Sequence, residues 1–159
     1  MNANSNIECR TDQLWFGNTL VRIAISAADG EDGLCVIEHQ APLGEAPPLH
    51  VHQREDEVFI LLAGEMRFQV GDQTIRASAG DRLLAPKGIA HSFCVVSPAG
   101  ARFLTVTRGP DFETMVRAAG RPALSAGLPD PVQPTPDMIA GLVQLCAANR
   151  IDIVGPPIG

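Results

Sequence analysis

Between Trp15 and Arg108 no hydrophobic pattern runs longer than one short strand before Gly, Pro or Asp interrupts it, and this punctuation limits the fold more than any other feature. Met66, Phe68 and Val70 alternate with Glu65, Arg67 and Gln69, the period of two that gives a strand one buried and one wet face. Gly71-Asp72 supplies a hairpin turn, after which Ile75, Ala77 and Ala79 face one way and Thr74, Arg76 and Ser78 the other. Val21, Ile23 and Ile25 alternate in the same manner, and Leu34 to His39 returns as a strand after the turn at 28–33. Glu57 to Ala63 is nearly all apolar and is expected to be buried on both faces. Further strands are expected at 82–85, 91–96 and 102–108. Fifteen Gly and thirteen Pro in 159 residues fit this turn-rich pattern. The expected class is all-β, a sandwich or barrel.

After Arg108 the period changes. Asp111 is expected to N-cap a short helix in which Phe112, Met115, Val116 and Ala119 share a face and Gly120 ends it. Arg121 to Pro134 reads as an extended, Pro-rich connector. Thr135-Pro136 then reads as N-cap and first-turn proline of a helix running to about Asn149. Its stripe of Ile139, Leu142, Val143 and Cys146 is expected to act as a clasp on the barrel or a dimer contact. The tail from Ile151 to Gly159 is too short to fold alone. The chain thus divides into a polar arm (1–14), a barrel (15–108) and an appendage of short helix, connector, C-terminal helix and tail (109–159).

Twelve basic against eighteen acidic side chains give a net charge of −6, and Lys87 is the only lysine. Nucleic-acid binding needs a basic face, so that class is excluded. The most apolar run, Val58 to Gly64, is far shorter than the roughly 20 residues of a membrane span. Met1 to Arg10 lacks the basic-then-apolar layout of a secretory leader, so Cys9, Cys35, Cys94 and Cys146 are expected as reduced thiols in a cytoplasmic protein. No G-x-S-x-G elbow and no phosphate-cradling glycine loop occurs, and with no Tyr any general base is a carboxylate, a histidine or metal-bound hydroxide.

Two segments carry metal chemistry. His50 and His52 are separated by one residue on an extended segment, so both imidazoles leave the same face and approach one ion. Gln53 to Asp56 form a turn, and Glu57 re-enters on the next strand as an oxygen ligand. In the second segment Pro86 and Gly88 suit a turn, and His91 opens the following strand as a third imidazole. The arrangement Gly44, His50, His52, Glu57, Gly64 followed by Gly80, Pro86, Gly88, His91 resembles the paired motifs of the cupin superfamily, G-x5-H-x-H-x4-E-x6-G and G-x5-P-x-G-x2-H. The gap between them, Glu65 to Ala79, is 15 residues. The asparagine that the family carries four residues after the last histidine is Val95 here; it is not a metal ligand.

The resemblance implies a double-stranded β-helix, a small jelly-roll barrel, with a C-terminal helical appendage. It implies one divalent transition metal per chain (Fe, Ni, Mn, Co, Zn or Cu) held by His50, His52, His91 and Glu57. The segment after the barrel is similar to that of single-domain bacterial cupins grouped with quercetin 2,3-dioxygenase. The resemblance therefore implies an oxygenase for a small aromatic or enol-type substrate, with Glu57 as the catalytic carboxylate if the apolar barrel raises its pKa. A non-oxidative lyase or isomerase and a binding module without turnover are the alternatives. The expected partners are a small molecule and a second copy of the chain, with neither nucleic acid nor membrane. His39, tied to the cluster by no spacing, is expected as a satisfied or surface histidine, Glu55 and Asp56 as a solvated turn, and Trp15 as a packing plug. Of Phe59, Met66, Phe68 and Phe93, at least half are expected in a plain core rather than on the cavity wall.

Overall fold

The structure, a computed structural model, describes residues 12–159; most of the expected arm, and Cys9, lie outside the described residues. Strands β1 (Gln13–Phe16), β2 (Thr19–Ile25), β3 (Leu34–Ala41), β4 (Pro48–His52), β5 (Glu57–Ala63) and β6 (Glu65–Val70) are followed by β7 (Gln73–Ser78), β8 (Arg82–Ala85), β9 (His91–Val95) and β10 (Ala101–Arg108). Helix α1 (Asp111–Ala119), β11 (Arg121–Pro122), helix α2 (Pro136–Ala148) and β12 (Ile151–Pro157) complete the chain. The strands form two antiparallel sheets, ordered β11-β1-β2-β3-β10-β5-β8 and β12-β4-β9-β6-β7. Two facing sheets with a small helical appendage make the all-β, double-stranded β-helix class expected from the sequence. Among the described residues no helix is long and apolar enough to cross a membrane.

Period-two patterning sorts the side chains as expected in β6, where Met66 and Phe68 are fully buried. Two other expectations fail. On β5 only Glu57, Phe59 and Leu61 are buried, while Val58 and Ile60 are half-buried and Leu62 is exposed. Only one face of that sheet meets the other sheet, so an apolar run in an interior strand is buried on one side alone. On β2 a register shift between Ile23 and Ile25 turns Ile25 outward, although Val21 and Ile23 are fully buried.

The interior falls into two apolar clusters. One, around Phe59, Leu61, Met66, Phe68 and Phe103, fills the barrel between the sheets. The other, around Val21, Ile23, Ile37, Phe112, Val116 and Ile151, joins the barrel to the helices. Of the four aromatic and methionine positions weighed in the sequence, Met66 and Phe68 are plain core, and Phe59 and Phe93 reach the cavity between the clusters.

Helix α1 is not capped by Asp111. Pro110 occupies the N-cap position without a side-chain bond, and Asp111 turns aside to accept from the Arg54 guanidinium at 3.1 and 2.9 Å. The cap arrives from far away in sequence. The Glu55 carboxylate accepts from the Asp111 and Phe112 N–H groups at 2.8 and 3.0 Å, filling the positive end of the helix with a charge. Glu55 is 2% exposed, so the solvated turn expected there holds only for Asp56. Gly109 makes room for it: any Cβ at that residue, whose φ is +138°, would strike the Glu55 carboxylate.

Helix α2 begins as the sequence indicates, with Thr135 Oγ1 accepting from the Met138 N–H at 3.2 Å and proline in the first turn. Its expected stripe splits. Leu142 and Cys146 pack inward, whereas Ile139 and Val143 are 51% and 40% exposed. The connector before α2 is pinned to the β1–β2 hairpin. The Trp15 indole N–H donates to the Gly127 carbonyl at 2.9 Å, and the Asn18 amide pairs with both backbone groups of Val132. The tail is not a loose end: as β12 it pairs antiparallel with β4, Ile151 opposite His52 and Ile153 opposite His50.

Candidate metal centre

Three of the four predicted ligands belong to one sheet and the fourth to the other. His50 and His52 lie on β4, and His50 stands in register with His91, the first residue of β9. Glu57 opens β5 on the facing sheet. The two motif turns clasp each other and fix this geometry: the Gly88 N–H donates to the His52 carbonyl at 2.8 Å, and the Lys87 N–H to Asp56 Oδ1 at 2.9 Å. The motif glycine Gly64, with φ +84°, faces the Gly100 carbonyl so closely that no side chain fits.

The structure brings all four side chains together. One donor atom from each of His50, His52, Glu57 and His91 lies within 4.8 Å of every other. Nδ1–H of His50 donates to the Pro48 carbonyl at 2.7 Å and Nδ1–H of His91 to the Ile89 carbonyl at 3.0 Å, which turns both Nε2 atoms to the common centre. Glu57 Oε2 is 3.0 Å from His91 Nε2 and 3.5 Å from His52 Nε2. His52 is 1% exposed, and neither of its ring nitrogens has a hydrogen-bond partner. A buried imidazole with both nitrogens unsatisfied is costly, and a cation on Nε2 removes the part of that cost borne by Nε2. The donor set, three imidazoles and one carboxylate without thiolate, fits a divalent first-row ion.

The electrostatics differ from the sequence expectation at Glu57. Burial pushes its carboxyl up, but the His52 charge, the His91 hydrogen bond and the charges of His91 and His50 outweigh burial and hold it down at about 2. The barrel therefore does not raise its pKa. Burial, with His91 and His52 adding to it, lowers His50 to about 4. Burial also pulls His52 down, yet the Glu57 and Glu55 carboxylates reverse the sign and leave it above its ordinary value.

The cluster stands at one part of a cavity of about 100 Å³. Phe16, Phe59, Phe93, Phe103 and Phe112 supply aromatic walls, and Met115, Leu142, Cys146, Ile151 and Ile153 cover it from the helices and β12. His39 reaches the wall as a satisfied histidine. Its Nε2 is 2.9 Å from Thr105 Oγ1 and its ring stacks on Phe103 at 4.7 Å, with burial lowering it to about 4. Trp15 packs on the connector under the Arg121 guanidinium and does not line the cavity. Cys94 also stays off the wall. Sequence reasoning missed Glu45, a second carboxylate on the cavity wall, and Phe112, whose ring lies 5.6 Å from that of His52. No local motif marks either residue.

Comparison with known proteins bears on the fold. A family model described as the cupin domain matches residues 37–107. No curated protein matches the chain. Among solved structures, a predicted oxalate decarboxylase from Thermotoga maritima is similar at 20% identity and TM-score 0.58, covering 64% of this chain and 96% of that one. The cupin domain of Schizosaccharomyces pombe Cnp3 aligns at 15% identity and TM-score 0.53, covering 65% and 69%. KdgF from Halomonas sp. aligns at 19% identity and TM-score 0.52, covering 58% and 79%. At these identities the likeness is one of fold.

Proposed function

From the premise that residues 37–107 of this chain are a cupin domain, we propose that it is a metal-dependent oxygenase for a small enol- or aromatic-type substrate. The observation that carries the reading is the convergence of His50, His52, His91 and Glu57, the first two and the last of which line an apolar cavity, with His52 otherwise unsatisfied. A divalent first-row cation there supplies Lewis acidity and, where redox-active, a path for electrons to O₂. His50, His52 and His91 are the fixed neutral donors. Glu57 is the anionic donor, and its low pKa suits a carboxylate that stays charged while it orients the substrate oxygen. Phe59, Phe93, Phe103 and Phe112 exclude water and hold the apolar part of the substrate.

The cavity volume narrows the class. Benzene fills an engineered cavity of about 150 Å³, so about 100 Å³ favours a compact enol or β-diketone over a flavonol. Glu45, a second carboxylate on the wall, favours one further reading: a lyase or isomerase that moves a proton without oxygen. The expected homodimer is part of the proposal, supported by the exposed Ile139 and Val143 beside the inward stripe of α2. Sedimentation at micromolar concentration showing only monomer would overturn it.

Protein loaded separately with Fe, Mn, Co and Ni should consume oxygen in the presence of small β-diketones for at least one metal. Turnover in strictly anaerobic solution would select the lyase or isomerase reading. Saturable binding with no product under either condition would reduce the chain to a binding module.

A further inference from the structure

Outside the four clustered residues, Glu45 is the one carboxylate on the cavity wall among the described residues. Its backbone is held in place: the Glu45 N–H donates to the Pro42 carbonyl at 3.2 Å, and its carbonyl accepts from the Val95 N–H at 3.0 Å. Glu45 therefore sits at the last residue of β9, while His50 is in register with His91 at the first. Four steps of strand, roughly 13 Å of backbone, separate these two positions, so the cavity has two polar poles with phenyl walls between them.

At the Glu45 pole the neighbours are Phe16, Thr19 and Pro47 on the wall and the Gly17-Asn18 turn behind the carboxylate. Burial among these groups pushes the Glu45 carboxyl up, against a hydrogen bond from Asn18 that draws it down. The other candidates on the wall are engaged. Glu57 faces two imidazoles within 3.5 Å, and His39 Nε2 is bonded to Thr105. The Cys146 thiol is pushed up to about 11 by burial and is inert as a thiolate.

We propose that Glu45 is a specificity-determining residue that hydrogen-bonds the distal hydroxyl of the substrate. The substrate class is then a small molecule with a metal-ligating oxygen at one end and a hydroxyl at the other. This rests on the proposed function, since the near end needs a metal at the His/Glu cluster. A chain of four or five carbons suits the cavity, and a purely apolar tail would leave the half-buried carboxyl with Asn18 as its one side-chain partner and apolar surface against its other face.

The test uses the full chain loaded with Co(II), whose visible absorption reports ligand binding. Pairs of probes differing only in the terminal hydroxyl are titrated: butyrate against 4-hydroxybutyrate, and valerate against 5-hydroxyvalerate. The wild-type protein should bind at least one hydroxylated probe more tightly than its partner by about fivefold, the scale of one buried hydrogen bond. Glu45→Ala should abolish that preference and leave affinity for the plain carboxylate within about twofold. Glu45→Gln should keep most of the preference, because an amide still bonds a hydroxyl. Cobalt stoichiometry should remain one per chain in both variants, since the fixing bonds at residue 45 are backbone bonds. Equal affinities within each pair, or a preference that survives in Glu45→Ala, would overturn the inference while leaving the proposed function standing. Failure of wild-type protein to bind cobalt would overturn both.

Discussion

Glu55 Oε2 lies 3.8 Å from Nδ1 of His52, and the same carboxylate caps the two leading N–H groups of helix α1. One buried charge thus faces a candidate ligand on one side and the helix carrying Phe112 and Met115 over the cavity on the other. At 3.8 Å the carboxylate makes no hydrogen bond to the ring and acts on it as a nearby negative charge. Removing it strikes both elements at once.

Glu55→Ala is therefore expected to cost about 2 kcal/mol of folding stability, from two buried N–H groups left without an acceptor. It should also weaken metal binding by about tenfold or more. Urea unfolding of metal-free protein and competition with a chromophoric chelator measure the two effects separately.

Protein purified without added metal should contain about one divalent transition ion per chain, measured by elemental analysis. His50→Ala and Glu57→Gln should each lose most of it while retaining the β-rich circular dichroism of the parent. Full metal content in both variants would refute the ligand assignment.

Acid should destabilise the metal-free protein well before carboxylates in general are protonated. His39 and His50 are each held near 4 when folded against 6.5 when free, so the unfolded chain binds protons first. Their contribution is complete above about pH 6.5 and is lost as the pH falls toward 4. Denaturant midpoints should fall between pH 7.5 and 4.5 because these two histidines outweigh His52, which is raised on folding and acts in the opposite sense, and His39→Gln should flatten part of that slope. Metal affinity should fall over the same range, because protons compete for the imidazoles.

Ile151, 2% exposed and paired with His52, bears on the cavity directly. Ile151→Ala is expected to cost about 3 kcal/mol as a truncation in a packed interior. A chain cut before Ile151 should bind metal more weakly than the full one, because β4 then loses the strand that holds its outer edge. Equal affinity would show that β4 is rigid without it.

The convergence of the four candidate ligands was legible because each part is written locally. His-x-His needs only the alternation of a strand, and Pro86 and Gly88 fix the turn that delivers His91. The helix start at Thr135-Pro136 was legible for the same reason. What escaped depends on partners far along the chain. Glu55 reads as one acid in a polar turn until Asp111 and Phe112 arrive more than fifty residues later. Glu45 reads as a loop residue until Val95 pins it, and the Ile151–Pro157 strand has no alternation of its own to announce it. The raised Glu57 pKa was expected from burial alone, and the three neighbouring imidazoles reversed it.

The pairing of Ile151 with His52 also has a temporal side. These partners are about a hundred positions apart, so during synthesis the histidine-bearing strand emerges long before its neighbour does. Through that interval its edge is open to other chains, and its imidazoles are available to any passing ion. A cation captured in that interval would meet a half-built platform, whose outer edge is completed by the late strand.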